Sequence, residues 1–173
     1  EGIWREGPGT PVSGVQVRLG ERRVQLRAGR ALVLASGGYS RDVALRTRYC
    51  PTLVDAYQCT NHRGATGEVL TFARWVGADV MGLEFIQLFP CANPQNGGID
   101  CYALACYGGP GFGMIYVDGA GRRFVNELAG RDVVSDAQIR GGGGPTWSIF
   151  NRTVLEHLAL SEEELERGVR TGR

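Results

Sequence analysis

The sequence predicts an α/β fold, and three observations lead to that expectation. A continuous apolar run, Ala31-Leu32-Val33-Leu34-Ala35, ends in the small-residue turn Ser36-Gly37-Gly38. That is the pattern of a strand covered on both faces that hands over to a helix. The polar, glycine-containing loop Thr60–Gly67 opens a segment with Val69, Phe72, Ala73 and Val76 on one helical face. A further strand, turn and helix run from Met114 to Ile139.

Taken in order, Val12–Gly20 alternates apolar and polar positions, Gly20-Glu21 turns the chain, and Arg23–Arg27 alternates again, which predicts a hairpin. Ala31–Ala35 is the buried strand. Arg41–Tyr49 is a short helix, with Ser40 or Asp42 near its cap and Pro51 beyond its end. Glu68–Val76 is the second helix, and Gly77 is its natural stop. Ala78–Leu88 reads as extended and is closed by Pro90. Residues 91–113 have little periodicity and many Gly, Pro, Asn and Cys, which predicts a long loop of the kind that often carries function. Met114–Asp118 is a strand, Arg131–Ile139 a helix ending at the Gly141–Gly144 run, Trp147–Phe150 a strand, and Ser161–Leu165 a helix start with acids in its first turn. The Gly141–Gly144 run is low in complexity and is assigned no function.

Composition narrows the function classes. Hydrophobic residues make up 43% of the 173 positions and charged residues 21%, a globular balance. The net charge of +1 gives no electrostatic case for a nucleic-acid partner. Every basic residue other than histidine is arginine, a coding bias that removes weight from arginine counts. Five cysteines without a CxxC pair, and two distant histidines, argue against a disulfide scaffold or a metal site. No membrane-spanning stretch or repeat is present. The opening Glu1-Gly2-Ile3-Trp4 begins in mid-pattern, which reads as an excerpt of a longer protein, so the missing leader says nothing about compartment.

Three segments are candidates for chemistry. The turn Ala35-Ser36-Gly37-Gly38 lets a ligand approach backbone N–H groups closely, although strand-to-helix turns often look this way for structural reasons alone. Thr66-Gly67-Glu68 opens a helix whose free amides favour a phosphate or a polarised oxygen; Thr66 equally suits a plain N-cap. The run Gly119–Asp132 contains Arg122, Arg123, Asn126, Glu127 and Arg131, where a fixed arginine can bind a carboxylate or deliver a proton. Its bland alternative is a hairpin with surface arginines.

Together these segments resemble the fumarate reductase/succinate dehydrogenase flavoprotein superfamily. Ala31–Tyr39 is similar to its strand and ATGG-type turn, and Asn61–Val69 to its NHxGATGDG segment. Gly77-Ala78 with Gln87-Leu88-Phe89-Pro90 resembles its GA…QxHP stretch, Gly121–Asp132 its GxRFxNExxxRD motif, and Trp147–Asn151 its xxIFD. Order and spacing agree over residues 30–151. The nearest likeness is to single-subunit flavocytochrome c-type reductases, then to 3-ketosteroid dehydrogenase-like enzymes.

The resemblance implies part of a Rossmann-like FAD-binding domain over residues 1–86, followed by part of an α+β capping domain over residues 87–173. It implies FAD held by Ala35, Ser36, Gly37, Gly38, Thr66, Gly67 and Glu68. It further implies hydride transfer between the flavin and an activated carbon–carbon bond of a small-molecule substrate, with an electron donor that the sequence does not identify. Arg131 matches the reductases' general acid, which favours reduction as the direction. Gln87, Phe89, Cys106 and Tyr107 fall at substrate positions.

Several positions depart from the family pattern. Phe89 replaces the family's histidine, Cys106-Tyr107 fall where its Thr-Glu pair stands, its relay arginine falls near Pro110, and its GDG reads Gly67-Glu68-Val69. Loss of the histidine and the acid argues against fumarate and suits a larger, less charged substrate such as an enone or an aryl acrylate. Two alternatives remain open: a ketosteroid-type desaturase using a tyrosine such as Tyr107 or Tyr116, and a cap-derived binding module without catalysis.

Overall fold

The hairpin predicted from residues 12–27 belongs to a three-stranded antiparallel meander, β1 (Gly2–Arg5), β2 (Val12–Leu19) and β3 (Arg22–Arg27). This computed structural model describes residues 1–93, 96–99 and 106–171. They form two compact units: Glu1–Val54 with Asn61–Ile86, and Asp55–Thr60 with Gln87–Arg173.

In the first unit the β2–β3 register pairs Val15 with Leu26 and Val17 with Val24 on one face, and Gln16 with Gln25 and Arg18 with Arg23 on the other. Period-two alternation therefore sorts apolar from polar side chains, as the sequence predicts. β1 carries no such signal in its four residues. It is recruited by pairing Ile3 with Val15 and Trp4 with Gly14. Arg5 donates a hydrogen bond to the Val76 carbonyl and so ties β1 to the end of the second helix.

Helix α1 (Val43–Tyr49) starts two residues after the expected Arg41, because Asp42 is the cap and its carboxylate accepts from the Leu45 N–H at 2.9 Å. Its Arg46 is buried, a position the sequence did not single out. The guanidinium donates to the carbonyls of Leu53 (2.9 Å), Val54 (2.7 Å) and Ser40 (3.2 Å), stapling the segment after the helix to the segment before it. Helix α2 (Glu68–Trp75) also forms, and Gly77 stops it at φ +82°, its N–H donating to the Arg74 carbonyl.

Two expectations fail here. Residues 31–35 form no strand, and Val33 is 83% exposed. An apolar run specifies burial, but a strand exists only when neighbours satisfy its N–H and C=O groups. No described segment forms that ladder. Residues 78–88 are likewise not a strand: Gly82 at φ +70° breaks the extension, and the Phe85 N–H turns back to the Gly82 carbonyl.

The second unit contains a 3₁₀ turn (Gly109–Phe112), β4 (Ile115–Val117), α3 (Arg131–Arg140), β5 (Trp147–Ile149), α4 (Arg152–His157) and α5 (Glu162–Thr171). β4 and β5 are antiparallel, with Ile115 opposite Ile149 and Val117 opposite Trp147. The core gathers Cys91, Met114, Tyr116, Val134 and Val154, with Phe89, Cys106, Phe124 and Leu158 packed against it. The expected loop over residues 91–113 needs correction. Residues 106–108 are helical and run into the 3₁₀ turn; positions 94, 95 and 100–105 lie outside the described residues. α4 is too short to give a periodic signal and is started by the Asn151 side chain, which accepts from the Val154 N–H. The glycine run after α3 is an ordered terminator. Gly141, Gly142 and Gly143 donate to the carbonyls of Ala137, Ile139 and Gln138, with Gly142 and Gly143 at positive φ. Among the described residues no helix is long and apolar enough to cross a membrane.

Arg46→Leu is expected to destabilise the first unit by about 3 kcal/mol, because three partly or fully buried carbonyls lose their donor. Arg46→Lys recovers less than half of that, since one ammonium cannot span three acceptors. Urea unfolding of the two variants checks both statements.

Candidate functional site

The two glycine turns singled out in the sequence come together in the first unit. Gly67 is the N-cap of α2 at φ +71° with no side-chain cap, so Thr66 does not cap the helix. A Cβ on Gly67 would lie 2.5 Å from the Cβ of Tyr39 and 3.2 Å from Leu45. Glycine is required twice over, by backbone conformation and by this close approach. The Arg41 N–H donates to the Ala65 carbonyl at 2.9 Å, and Asn61 Nδ2 donates to Ser40 Oγ at 2.7 Å. Arg41 also grips the Asn61 carbonyl through Nε and a terminal nitrogen, at 2.9 and 2.7 Å. Tyr39 donates to the Leu83 carbonyl, and burial raises its phenol above the ordinary tyrosine range.

These bonds fix residues 39–41 against 61–67 and leave the turn before them open. Ala35, Ser36, Gly37 and Gly38 are exposed, Gly37 sits at φ +88°, and no atom would touch a Cβ on Gly37 or Gly38. Among the described residues no backbone hydrogen bond engages residues 35–38. Glu68 is exposed at the first turn of α2. Free amides of an open glycine turn beside an uncapped helix N-terminus suit a polar, anionic or polarised cofactor group.

In the second unit the arginine run forms a tight hairpin. The Asp118 carboxylate accepts from the N–H groups of Ala120 and Arg122, both at 2.9 Å, and Gly121 supplies φ +74°. Those backbone donors, that of Arg122 first, hold the Asp118 carboxyl below the usual range. Val117 then bridges Arg123. Glu127 is buried at 7% exposure. Its two oxygens take the Arg123 guanidinium at 2.8 and 2.6 Å, and one also accepts the Tyr116 N–H at 3.0 Å. The Arg123 hydrogen bond, followed by that N–H, brings its carboxyl down to about 2 against the opposing effect of burial.

Glu127 is therefore committed to Arg123 and the β4 backbone, and Arg131 is left to a different neighbour. It is exposed at the first turn of α3, with its guanidinium carbon 5.8 Å from the Tyr107 ring centroid. Tyr107 in turn lies against Phe89, with centroids 5.3 Å apart and planes at 41°. The structure thus gathers Arg131, Tyr107 and Phe89. Cys106 points elsewhere: Ser148 Oγ donates to its Sγ at 3.1 Å, and Tyr116 donates to its carbonyl. Gln87 is exposed. Sequence reasoning missed the buried pair of Tyr116 with Cys91, whose thiol burial pushes up to about 11. Only the apolar spacing of β4 could have hinted at it.

Comparison with known proteins identifies the family of the chain. A family model described as an FAD binding domain matches residues 3–170. The chain belongs to this FAD-binding family. It is 31% identical to an NADH:fumarate oxidoreductase of Klebsiella pneumoniae over 92% of this chain and 17% of the relative. It is 32% identical to a urocanate reductase of Eggerthella lenta over 76% of this chain and 21% of the relative. Identity to an acrylate reductase flavoprotein subunit of Shewanella woodyi is 35%, over 67% and 23% respectively. The chain thus spans about a fifth of the length of these relatives. In fold it is similar to the open conformation of a flavocytochrome c3 fumarate reductase, with TM-score 0.57 and 23% identity over 80% of this chain and 28% of that one.

Glu127→Gln is expected to cost about 1–3 kcal/mol at neutral pH. The native carboxyl titrates near 2, below its ordinary value of 4.5. Its stabilisation is thus complete above that ordinary value and is lost as pH falls towards 2. Urea unfolding as a function of pH should show this acid limb in the parent and its absence in the variant.

Proposed function

We propose that this chain is part of an FAD-dependent oxidoreductase that adds hydrogen across an activated carbon–carbon double bond. Its substrate on this reading is an enone or an unsaturated acid other than fumarate. Residues 1–86 contribute to the FAD-binding domain, and residues 87–173 begin an α+β capping domain that meets the substrate. FAD, when bound and reduced, supplies a hydride. The names of the relatives support the reaction class, since they include reductases of urocanate, acrylate and fumarate.

This chain's own residues would do the rest. Ala35, Ser36, Gly37 and Gly38 offer backbone amides to the cofactor, and Thr66, Gly67 and Glu68 present the start of α2. Phe89 and Tyr107 face the substrate, with Gln87 and Cys106 as more distant contributors. Arg131 holds the proton for the carbon opposite the hydride. The observation that carries this reading is the freedom of Arg131. Arg123 takes up Glu127, so the guanidinium of Arg131 stands beside the aromatic pair without a carboxylate bonded to it among the described residues. The same freedom supports a second role, because an arginine without an acidic partner is also a carboxylate anchor.

Full-length protein should be yellow with bound flavin and, once chemically reduced, should be reoxidised by acrylate or an enone. A colourless protein that also refuses added FAD favours the non-catalytic binding module. Arg131→Gln should lower kcat by about 10²–10⁴-fold. An unchanged dissociation constant for the saturated product then marks a proton donor, whereas weakened product binding with a retained rate marks an anchor. Gly67→Ala should weaken FAD about tenfold or more, through strain of about 1–3 kcal/mol at positive φ, as read by flavin release.

A further inference from the structure

Arg131 has two supports, and both lead back to Tyr116. On one side Arg131 opens α3 just after the turn that Glu127 fastens, and the Glu127 carboxylate accepts the Tyr116 N–H at 3.0 Å. On the other side its guanidinium lies over the ring of Tyr107. The residue before Tyr107 is Cys106, and the Tyr116 hydroxyl donates to the Cys106 carbonyl. That carbonyl belongs to the peptide bond from which Tyr107 begins. Ser148, opposite Tyr116 in the β4–β5 pair, donates from Oγ to the Cys106 Sγ at 3.1 Å. Cys106 is thus gripped at its backbone and at its side chain by two facing strand residues.

The Tyr116 hydroxyl itself is withdrawn from direct chemistry. The residue is 5% exposed, and the Cys91 Sγ lies 3.6 Å from its oxygen. Burial, the largest effect, raises the phenol above the ordinary tyrosine range. A buried phenol that gives its proton to a carbonyl is in no position to serve as the tyrosine of a ketosteroid-type desaturase. Filling the core does not require the oxygen either, because a phenylalanine has the same ring. A buried hydroxyl is costly unless it is bonded, and here the bond goes to Cys106.

We propose that Tyr116 is a positioning residue for Arg131. Its N–H acts through Glu127 on the start of α3, and its hydroxyl acts through Cys106 on the ring that Arg131 covers. The proposal rests on the reductase reading above and names what holds its acid in place.

Tyr116→Phe separates the two arms, since it removes the hydroxyl and keeps the N–H. The test uses full-length protein with its flavin, acrylate as oxidant and propionate as saturated product. Whichever of kcat and propionate binding responds to Arg131→Gln, Tyr116→Phe should lower the same quantity about tenfold, because small misplacements at a reacting group are costly. On the Arg131→Gln background it should change that quantity less than about twofold. Val154→Ala is the control for a loosened core, as Val154 is fully buried in the same cluster. It should lower resistance to urea yet leave that quantity within about twofold. Amide exchange supplies a readout without turnover: Tyr116→Phe should raise it about tenfold over residues 106–112 and leave α4 unchanged. No response to Tyr116→Phe overturns the proposal, as does an equal loss with and without Arg131, or a matching loss in Val154→Ala. If no unsaturated acid is reduced but exchange and propionate binding respond as stated, the positioning role stands and the reductase reading falls. Exchange unmoved at residues 106–112 overturns the grip on Cys106.

Discussion

Glu127 brings a carboxylate into the interior of the second unit, and the arrangement around it follows from the need to satisfy that charge. Burying an unpaired carboxylate costs several kcal/mol. Here both oxygens meet the fork of Arg123, and one also accepts the N–H of Tyr116. The first contact closes the turn after β4, and the second fastens that turn to β4 itself. With both made, the chain leaves the hairpin at Gly130 with its direction set, and Arg131 begins α3 in front of Tyr107. The carboxylate in this way decides which arginine is scaffold and which is free. Removing it would disturb the position of Arg131 without touching it.

The first unit is governed by contact between backbones. Gly67 can approach Tyr39 because it lacks a Cβ, and the same residue takes the left-handed conformation that starts α2. The side chains of Arg41 and Asn61 then tie the two segments around that contact. The outcome is one surface on which an open turn and an uncapped helix start present amides. Neither segment alone distinguishes itself from an ordinary strand-to-helix connection.

Much of this was legible in the sequence, for specific physical reasons. Asp42, Gly67 and Gly77 mark helix ends through local chemistry, so α1 and α2 form where those residues put them. The alternation of Val15, Val17, Val24 and Leu26 predicts the β2–β3 hairpin because the sheet face is local as well. The failures share a cause. Residues 31–35 read as a strand from their apolarity, yet a strand depends on partners that apolarity does not name. Arg46 was hidden for the opposite reason, since a charged residue reads as surface until its partners are known; Glu127 was visible as a carboxylate in the arginine run, but its burial was not. The sequence pattern drew attention to Arg122 and Arg123 together, but their roles separate only in three dimensions: Arg122 lies outside on Asp118, and Arg123 holds the buried acid. Helix α4 has too few residues for a period to emerge, and its one signal was the cap at Asn151.

The freedom of Arg131 raises a difficulty that its aromatic surroundings help to resolve. A guanidinium in water keeps its proton, and Glu127 is taken up by Arg123 and the Tyr116 N–H. Desolvation disfavours the charged form of a cation and so makes it a better acid. In the present structure the group is exposed, with an aromatic surface on one side. On the reading proposed above, a substrate seated against the open side would exclude water from the guanidinium as it bound. The proposed reading therefore leaves the surroundings of Arg131 to be completed by the substrate rather than by Glu127.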